Sequence, residues 1–198
     1  MANVTASITT SLDGYIAAPN DGPGNGLGDG GERLHYWVFG GPWSSETGPR
    51  GEATGPAREF LESAAARTRA IVVGRWMYEC ADHWGDRNPF GVPVFVVTHR
   101  PEEEPDTGEF SFAGSFEEAI ERAREAAGGR DVAIGGGASV IRQGLEAGVV
   151  DELAIIVAPV ILGEGKPLFD GFRKSVHLEP IGVQDLELAT VLAYRVKR

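Results

Sequence analysis

The sequence predicts an α/β fold built on a mostly parallel sheet covered on both faces. Three observations lead there. The runs Ala70-Ile71-Val72-Val73, Pro93 to Val97 and Val132-Ala133-Ile134 are apolar throughout, as strands buried on both sides in parallel sheets are. Stretches with helical periodicity alternate with them, as crossover connections require. The segments Val176 to Glu179 and Leu186 to Val196 close the chain and read as an antiparallel pair.

The elements follow in order. A first strand covers Asn3 to Thr9 and ends in a turn at Ser11-Leu12-Asp13-Gly14. From Pro19 to Gly31 the chain is rich in Gly, Pro, Asn and Asp, a loop composition. Tyr36, Trp37, Phe39 and Trp43 form an aromatic cluster, and a second glycine-rich stretch runs from Gly40 to Gly55, so residues 19–55 form a loop-rich insert. Pro56 stands where a first-turn helical proline belongs, and Phe60, Leu61 and Ala64 make an apolar stripe to about Ala66. Arg75 to Ala81 opens a helix, and the Pro- and Glu-rich stretch from Arg100 to Gly108 is a loop. Ser115-Phe116-Glu117-Glu118 is a capping box for a helix that ends at Ala127 before Gly128-Gly129. Three glycines, Gly135 to Gly137, separate the 132–134 strand from a helix that runs to about Ala147, and Glu152 to Ala158 is a further strand. There is no internal repeat, and the 198 residues read as a single domain.

Composition narrows the partners. The formal net charge of −11 argues against a nucleic-acid backbone or an anionic membrane surface as the main partner. An anionic cofactor is compatible with it where the local field is positive. Cys80 is the one cysteine, so no intrachain disulfide forms and a reducing cytoplasm fits. Glu79 and Asp82 beside it do nothing to lower its pKa, and it reads as a packing residue. The N-terminal residues lack the basic and apolar regions of a signal peptide, and no apolar run is long enough to cross a bilayer. His35, His83, His99 and His177 show no metal-ligand spacing. There is no Gly-x-Ser-x-Gly elbow, and no Gly-x-Gly-x-x-Gly follows the first strand.

Chemistry points instead to the strand ends. In Val132-Ala133-Ile134-Gly135-Gly136-Gly137-Ala138-Ser139 a strand meets three glycines and then a helix. Glycine lets a bulky anion approach the backbone, and the helix N-terminus offers free N–H groups and a positive dipole end. The same stretch also fits a plain turn. Four other segments also follow strands: Ser11-Leu12-Asp13-Gly14-Tyr15-Ile16, Gly74-Arg75-Trp76-Met77, Thr98-His99-Arg100, and Pro159-Val160-Ile161-Leu162-Gly163-Glu164-Gly165-Lys166. The carboxyl ends of parallel strands share the crevice where ligands bind.

In this order the motifs resemble the dihydrofolate reductase superfamily, and most closely the branch holding the reductase domain of bacterial riboflavin biosynthesis. The resemblance runs from about Val4 to Val196, interrupted by the insert. It implies a dihydrofolate reductase-like three-layer sandwich, a mostly parallel twisted sheet with an antiparallel C-terminal strand. It also implies NADPH as cofactor and hydride transfer to a small flat heterocycle, such as a ribosylaminopyrimidine phosphate or a pterin. A homodimer is compatible with the resemblance. No attached deaminase motif, His-x-Glu with Pro-Cys-x-x-Cys, occurs in the sequence.

Carried over to this chain, the resemblance puts the cofactor pyrophosphate between Gly135-Gly136-Gly137-Ala138-Ser139 and Gly74-Arg75-Trp76-Met77. Arg75 and Thr98-His99-Arg100 would surround the 2′-phosphate, for which a guanidinium fork is well shaped. Arg75 also fits as a capping residue, and Arg100 as a partner of the acidic run Glu102-Glu103-Glu104. Ala6, Ile16 and the Asp13-Gly14-Tyr15 turn would line the nicotinamide pocket. Asp13 is either a catalytic or substrate-binding group or the former of an Asp-Gly turn. Glu59 is the candidate proton donor, with an ordinary exposed acid as the alternative. Trp37, Phe39, Trp43 and Trp84 either stack on a flat ligand or close a core beneath the insert. Lys166 is either a phosphate ligand or a solvated loop lysine. A ligand-binding protein without turnover is the alternative to the reductase.

Overall fold

The structure is a computed structural model that describes residues 2–101 and 108–197. In chain order the elements are β1 (Val4–Thr10), β2 (Tyr15–Ala17), α1 (Gly55–Arg67), β3 (Thr68–Gly74), α2 (Arg75–Cys80), β4 (Val94–Val97) and β5 (Ser111–Ala113). Then come α3 (Phe116–Ala127), β6 (Asp131–Gly136), α4 (Ala138–Glu146), β7 (Glu152–Val157), β8 (Lys166–Pro167), β9 (His177–Asp185) and β10 (Thr190–Lys197). Short 3-10 turns cover Gly31–His35 and Asp82–Asp86.

Eight strands form one sheet in the order β5-β4-β3-β6-β1-β7-β10-β9. Every pair from β5 to β7 is parallel, and β10 runs antiparallel to both β7 and β9. The chain leaves β1, passes outward through β3, β4 and β5, and returns with β6 between β1 and β3. The direction of winding changes there, which opens a crevice at the carboxyl ends of these strands. A two-stranded antiparallel ribbon, β2 with β8, stands beside it.

Alternation along the strands divides the core. Val4 and Ala6 of β1, Val72 of β3 and Ile134 of β6 pack with α3 and α4 on one face. Phe116 and Ile141 are fully enclosed there, each contributing about 1.5–3 kcal/mol of burial. Helix α4 sits so close to the sheet that a Cβ on Gly144 would lie 2.8 Å from Ile134 Cδ1 and 3.0 Å from Val150 Cγ2. On the opposite face α1 and the insert pack on Ile156 and Val191 through Trp37 and Ala57, with Phe60 and Leu61 at the margin.

Several sequence expectations shift. The capping box forms on one side only: Ser115 Oγ accepts the Glu118 N–H at 3.1 Å, while the Glu118 carboxylate accepts from Gly114 rather than from Ser115. Strand β6 continues through Gly136, because Gly136 still pairs with Val73. β10 begins at Thr190, and Leu186 belongs to the preceding turn, where its N–H bonds the Ala189 carbonyl. The very short β2 and β8 fall in stretches read as turn or loop, and β5 in a stretch given no element. Most of the 100–108 loop, including Glu102-Glu103-Glu104, lies outside the described residues.

Candidate functional site

The ends of β1, β3, β4 and β6 open on a cleft of about 1270 Å³. An ordinary small-molecule pocket is roughly 300–1,000 Å³, so this one accommodates more than one small ligand. Its two walls differ in kind.

The sheet-side wall is backbone and short side chains. Gly74 and Gly135 to Val140 line it, together with Arg75, Trp76, Met77, Thr98 and His99. Gly137 is the N-cap of α4 and Gly74 the N-cap of α2, and neither offers a side-chain oxygen to the first-turn N–H groups. Such groups have no intrahelical partner. The two helix starts are neighbours: a Cβ on Gly74 would come within 3.8 Å of the Gly137 nitrogen. Gly136 has φ +119, and a Cβ there would meet Met77 Sδ at 3.2 Å. Two bare helix N-termini side by side suit a diphosphate.

Two guanidiniums and a carboxylate cluster at this wall. Arg75 Nε and Arg100 Nη2 both donate to Glu79 Oε1, at 2.9 Å and 3.3 Å. Arg75 also donates to the Arg100 carbonyl at 3.4 Å, and its guanidinium lies 5.7 Å from the Phe112 ring centroid. Thr98 is buried, and its hydroxyl accepts the Arg100 N–H at 3.0 Å, which sets the turn that carries His99 to the cleft.

The opposite wall is aromatic. The insert contributes His35, Trp37, Phe39 and Trp43, and α1 contributes Phe60, Leu61 and Ala64. Trp37 is pinned by its indole N–H, which donates to Thr9 Oγ1 of β1 at 3.1 Å, and by an edge contact with Phe60 at 6.0 Å. Phe39 packs edge-on against Trp43 at 5.5 Å. Desolvation lowers the His35 pKa from 6.5 to about 4, so its imidazole is neutral at neutral pH. The apolar stripe of α1 therefore faces the cleft as well as a core, and the four aromatics read from sequence, Trp84 included, all reach the cleft.

Of the candidate site residues, Ile16, Gly74, Arg75, Trp76, Met77, Thr98, His99, Gly135, Gly136, Gly137, Ala138 and Ser139 are brought together along the cleft. Four are not. Ala6 is buried in the core beneath β1. Arg100 is exposed and reaches the site through Glu79 and Arg75. Glu59 is exposed on α1, on a side turned away from the cleft stripe. Asp13 is also exposed and outside the cleft; it accepts the backbone N–H groups of Leu162 and Gly163 at 3.1 Å and 2.7 Å. A side-chain hydrogen bond with Ser11, followed by those backbone bonds, lowers its pKa to about 2. Asp13 is thus a turn and loop fastener and a poor proton carrier near neutral pH.

Asp21 and Arg142 also line the cleft, although neither is a candidate site residue by sequence. Asp21, from the insert, accepts from Trp76 Nε1 at 2.7 Å and pairs with Lys166. Lys166 is partly exposed, holds Asp21 and lies 4.8 Å from the Trp76 ring centroid. Arg142 of α4 donates to the Leu168 carbonyl at 2.9 Å and fixes the segment after β8. Cys80 lies behind this cluster, its thiol pKa raised by burial and then by the Asp21 charge. No local pattern marked Asp21 apart from the other aspartates of a loop.

Strand order, the reversed last strand and a glycine-bounded cleft at the switch point make this a protein of dihydrofolate reductase-like α/β fold. Dihydrofolate reductase from Enterococcus faecalis, solved with NADP(H), superposes with a TM-score of 0.58 at 16% identity over 99% of this chain and 97% of that one. The riboflavin biosynthesis reductase of Saccharomyces cerevisiae gives 0.65 at 16% identity, covering 99% and 90%. A Shewanella sp. PV-4 protein assigned to riboflavin biosynthesis gives 0.73 at 27% identity over the full length of both chains. The chain belongs to the RibD C-terminal domain family, whose model matches residues 2–192. The uncharacterized protein YyaP of Bacillus subtilis strain 168 is 36% identical over 63 residues, 32% of this chain and 34% of that protein. The match thus spans about a third of that curated relative.

Proposed function

We propose that the chain is an NADPH-dependent reductase acting on a small planar substrate, in the manner of the reductases of its family. The observation that carries this reading is the pair of adjacent helix N-termini at Gly74 and Gly137 with Arg75 beside them. Gly135 to Ser139 and Gly74 to Met77 would hold the pyrophosphate. Arg75, backed by Glu79 and Arg100, would take the 2′-phosphate through its guanidinium fork. Ile16 would border the nicotinamide. When bound, NADPH supplies a hydride to the carbon of a C=N or C=O bond. The protein orients the two reactants and shields them from water. Asp13 and Glu59 stand away from the cleft, so the proton for the substrate heteroatom comes from water or from the Asp21–Lys166 pair.

Calorimetric titration with NADPH, and with NADH as control, tests the reading. Saturable NADPH binding is expected, weakened about 10- to 100-fold by Arg75→Ala for the loss of charge-assisted hydrogen bonds, with NADH little changed. No binding of either nucleotide would contradict it. A second reading, nucleotide binding without turnover, draws on the same displacement of Asp13 and Glu59. It is distinguished by NADPH that binds but is never oxidised across a panel of pterins and aminopyrimidines.

A further inference from the structure

Resting on the reductase reading above, we infer that the second ligand of this cleft is a flat, uncharged carbonyl or imine compound that carries no phosphate. The aromatic wall is its binding surface. Trp37, Phe39, Trp43 and Phe60 present rings, Leu61 adds an aliphatic face, and His35 adds a ring that is neutral at neutral pH. Rings of this kind hold planar ligands by stacking and edge contacts.

Charge excludes the alternative. Among the described residues that line the cleft, the insert and α1 contribute no lysine or arginine. The cations that line it are Arg75, Arg142 and Lys166, all from the other side. Arg75 is engaged with Glu79 at the nucleotide end, Arg142 holds the Leu168 carbonyl, and Lys166 is paired with Asp21 and set on the Trp76 ring. The anions Asp21 and Asp170 share that rim. A phosphorylated substrate tail laid against the aromatic wall would surrender its hydration without a cation to replace it. A neutral planar compound surrenders little. One polar group favours a carbonyl: the indole N–H of Trp43 is buried and has no hydrogen-bond partner, and buried donors are normally satisfied.

The test compares two probes by quenching of tryptophan fluorescence, with and without saturating NADP+. One is 9,10-phenanthrenequinone, a flat uncharged dicarbonyl; the other is 5-amino-6-(5-phosphoribosylamino)uracil. The quinone is expected to bind about tenfold or more tighter, with little dependence on salt. Phe60→Ala is expected to weaken the quinone alone, by about 3- to 10-fold, in line with the loss of one aromatic contact. Leu61→Arg, which puts a cation on the wall, is expected to narrow the gap between the probes. Circular dichroism verifies folding, and Phe60→Leu replaces Phe60→Ala if the smaller side chain unfolds the helix. Tighter binding of the phosphorylated probe overturns the inference. So does failure of both probes to saturate, or equal affinities in the parent and in Leu61→Arg. Quinone binding without any NADP+ binding leaves this inference standing and removes the reductase reading.

Discussion

The sheet-side wall of the cleft and the insert-side wall are built from different materials. The first is made of backbone amides at two helix starts, kept bare by Gly74, Gly136 and Gly137, with the Arg75–Glu79–Arg100 cluster beside them. The second is made of side chains, Trp37, Phe39, Trp43 and Phe60, carried by loop and helix and tied to the sheet at Thr9. A backbone site is tolerant of sequence but intolerant of any added Cβ. A side-chain site can change its ligand by substitution while the fold stays the same. The contrast teaches that the glycine wall is set by topology and the aromatic wall by the insert, and under the proposed function these are the nucleotide half and the substrate half.

Substitutions on each wall sharpen that contrast. The largest expected loss of stability is for Trp37→Ala, which removes a buried ring and its hydrogen bond to Thr9. Large-to-small changes of this kind cost about 3–5 kcal/mol, a fall of roughly 6–20 °C in Tm for a chain of this size. If the variant folds, its NADPH affinity should stay within a few-fold of the parent, and a collapse of that affinity would break the separation of the walls. Gly136→Val comes next. At φ +119, with Met77 Sδ in reach of the new side chain, it should cost about 1–3 kcal/mol in thermal denaturation. It should also abolish nucleotide binding by calorimetry, because the amide cradle is displaced.

His35 gives a pH test. Its folded pKa, about 4, lies below the unfolded 6.5, so between those values the unfolded chain binds the proton first. Stability is then complete above pH 6.5 and falls as the pH drops toward 4. His35→Gln should flatten that part of the urea midpoint against pH, and an unchanged slope would show that the ring is not desolvated. The smallest effect belongs to Asp13, whose pKa of about 2 lies below the ordinary 3.8. Its contribution is present above pH 3.8 and lost as the pH falls toward 2. Asp13→Asn should lower Tm slightly at neutral pH, remove that acid slope, and leave NADPH affinity unchanged.

Much of this layout is legible in the sequence. The all-apolar runs around Val72, Val96 and Ile134 mark buried parallel strands because they are short and rich in β-branched residues. Gly135 to Gly137 and Gly74-Arg75 mark one wall of the cleft, since glycine before a helix is a local signal. The stripe Phe60, Leu61 and Ala64 was visible too, but periodicity says only that a face is apolar and not whether a core or a cleft meets it. The Asp21–Lys166 pair was out of reach, because it joins positions 145 residues apart through the packing of an irregular loop. Asp13 stays open between two readings in sequence for a physical reason: an Asp before Gly serves a turn and a catalytic site equally well. Only the direction of its carboxylate, onto the amides of Leu162 and Gly163, separates the two.

The most direct test of the two-walled cleft is a crystal structure of the protein with NADP+. The pyrophosphate is expected between Gly135–Ser139 and Gly74–Met77, the 2′-phosphate at Arg75, and the nicotinamide near Ile16 with the aromatic wall still open. A nucleotide stacked instead on Trp43 and Phe60, with the glycine wall empty, would contradict the assignment of both walls.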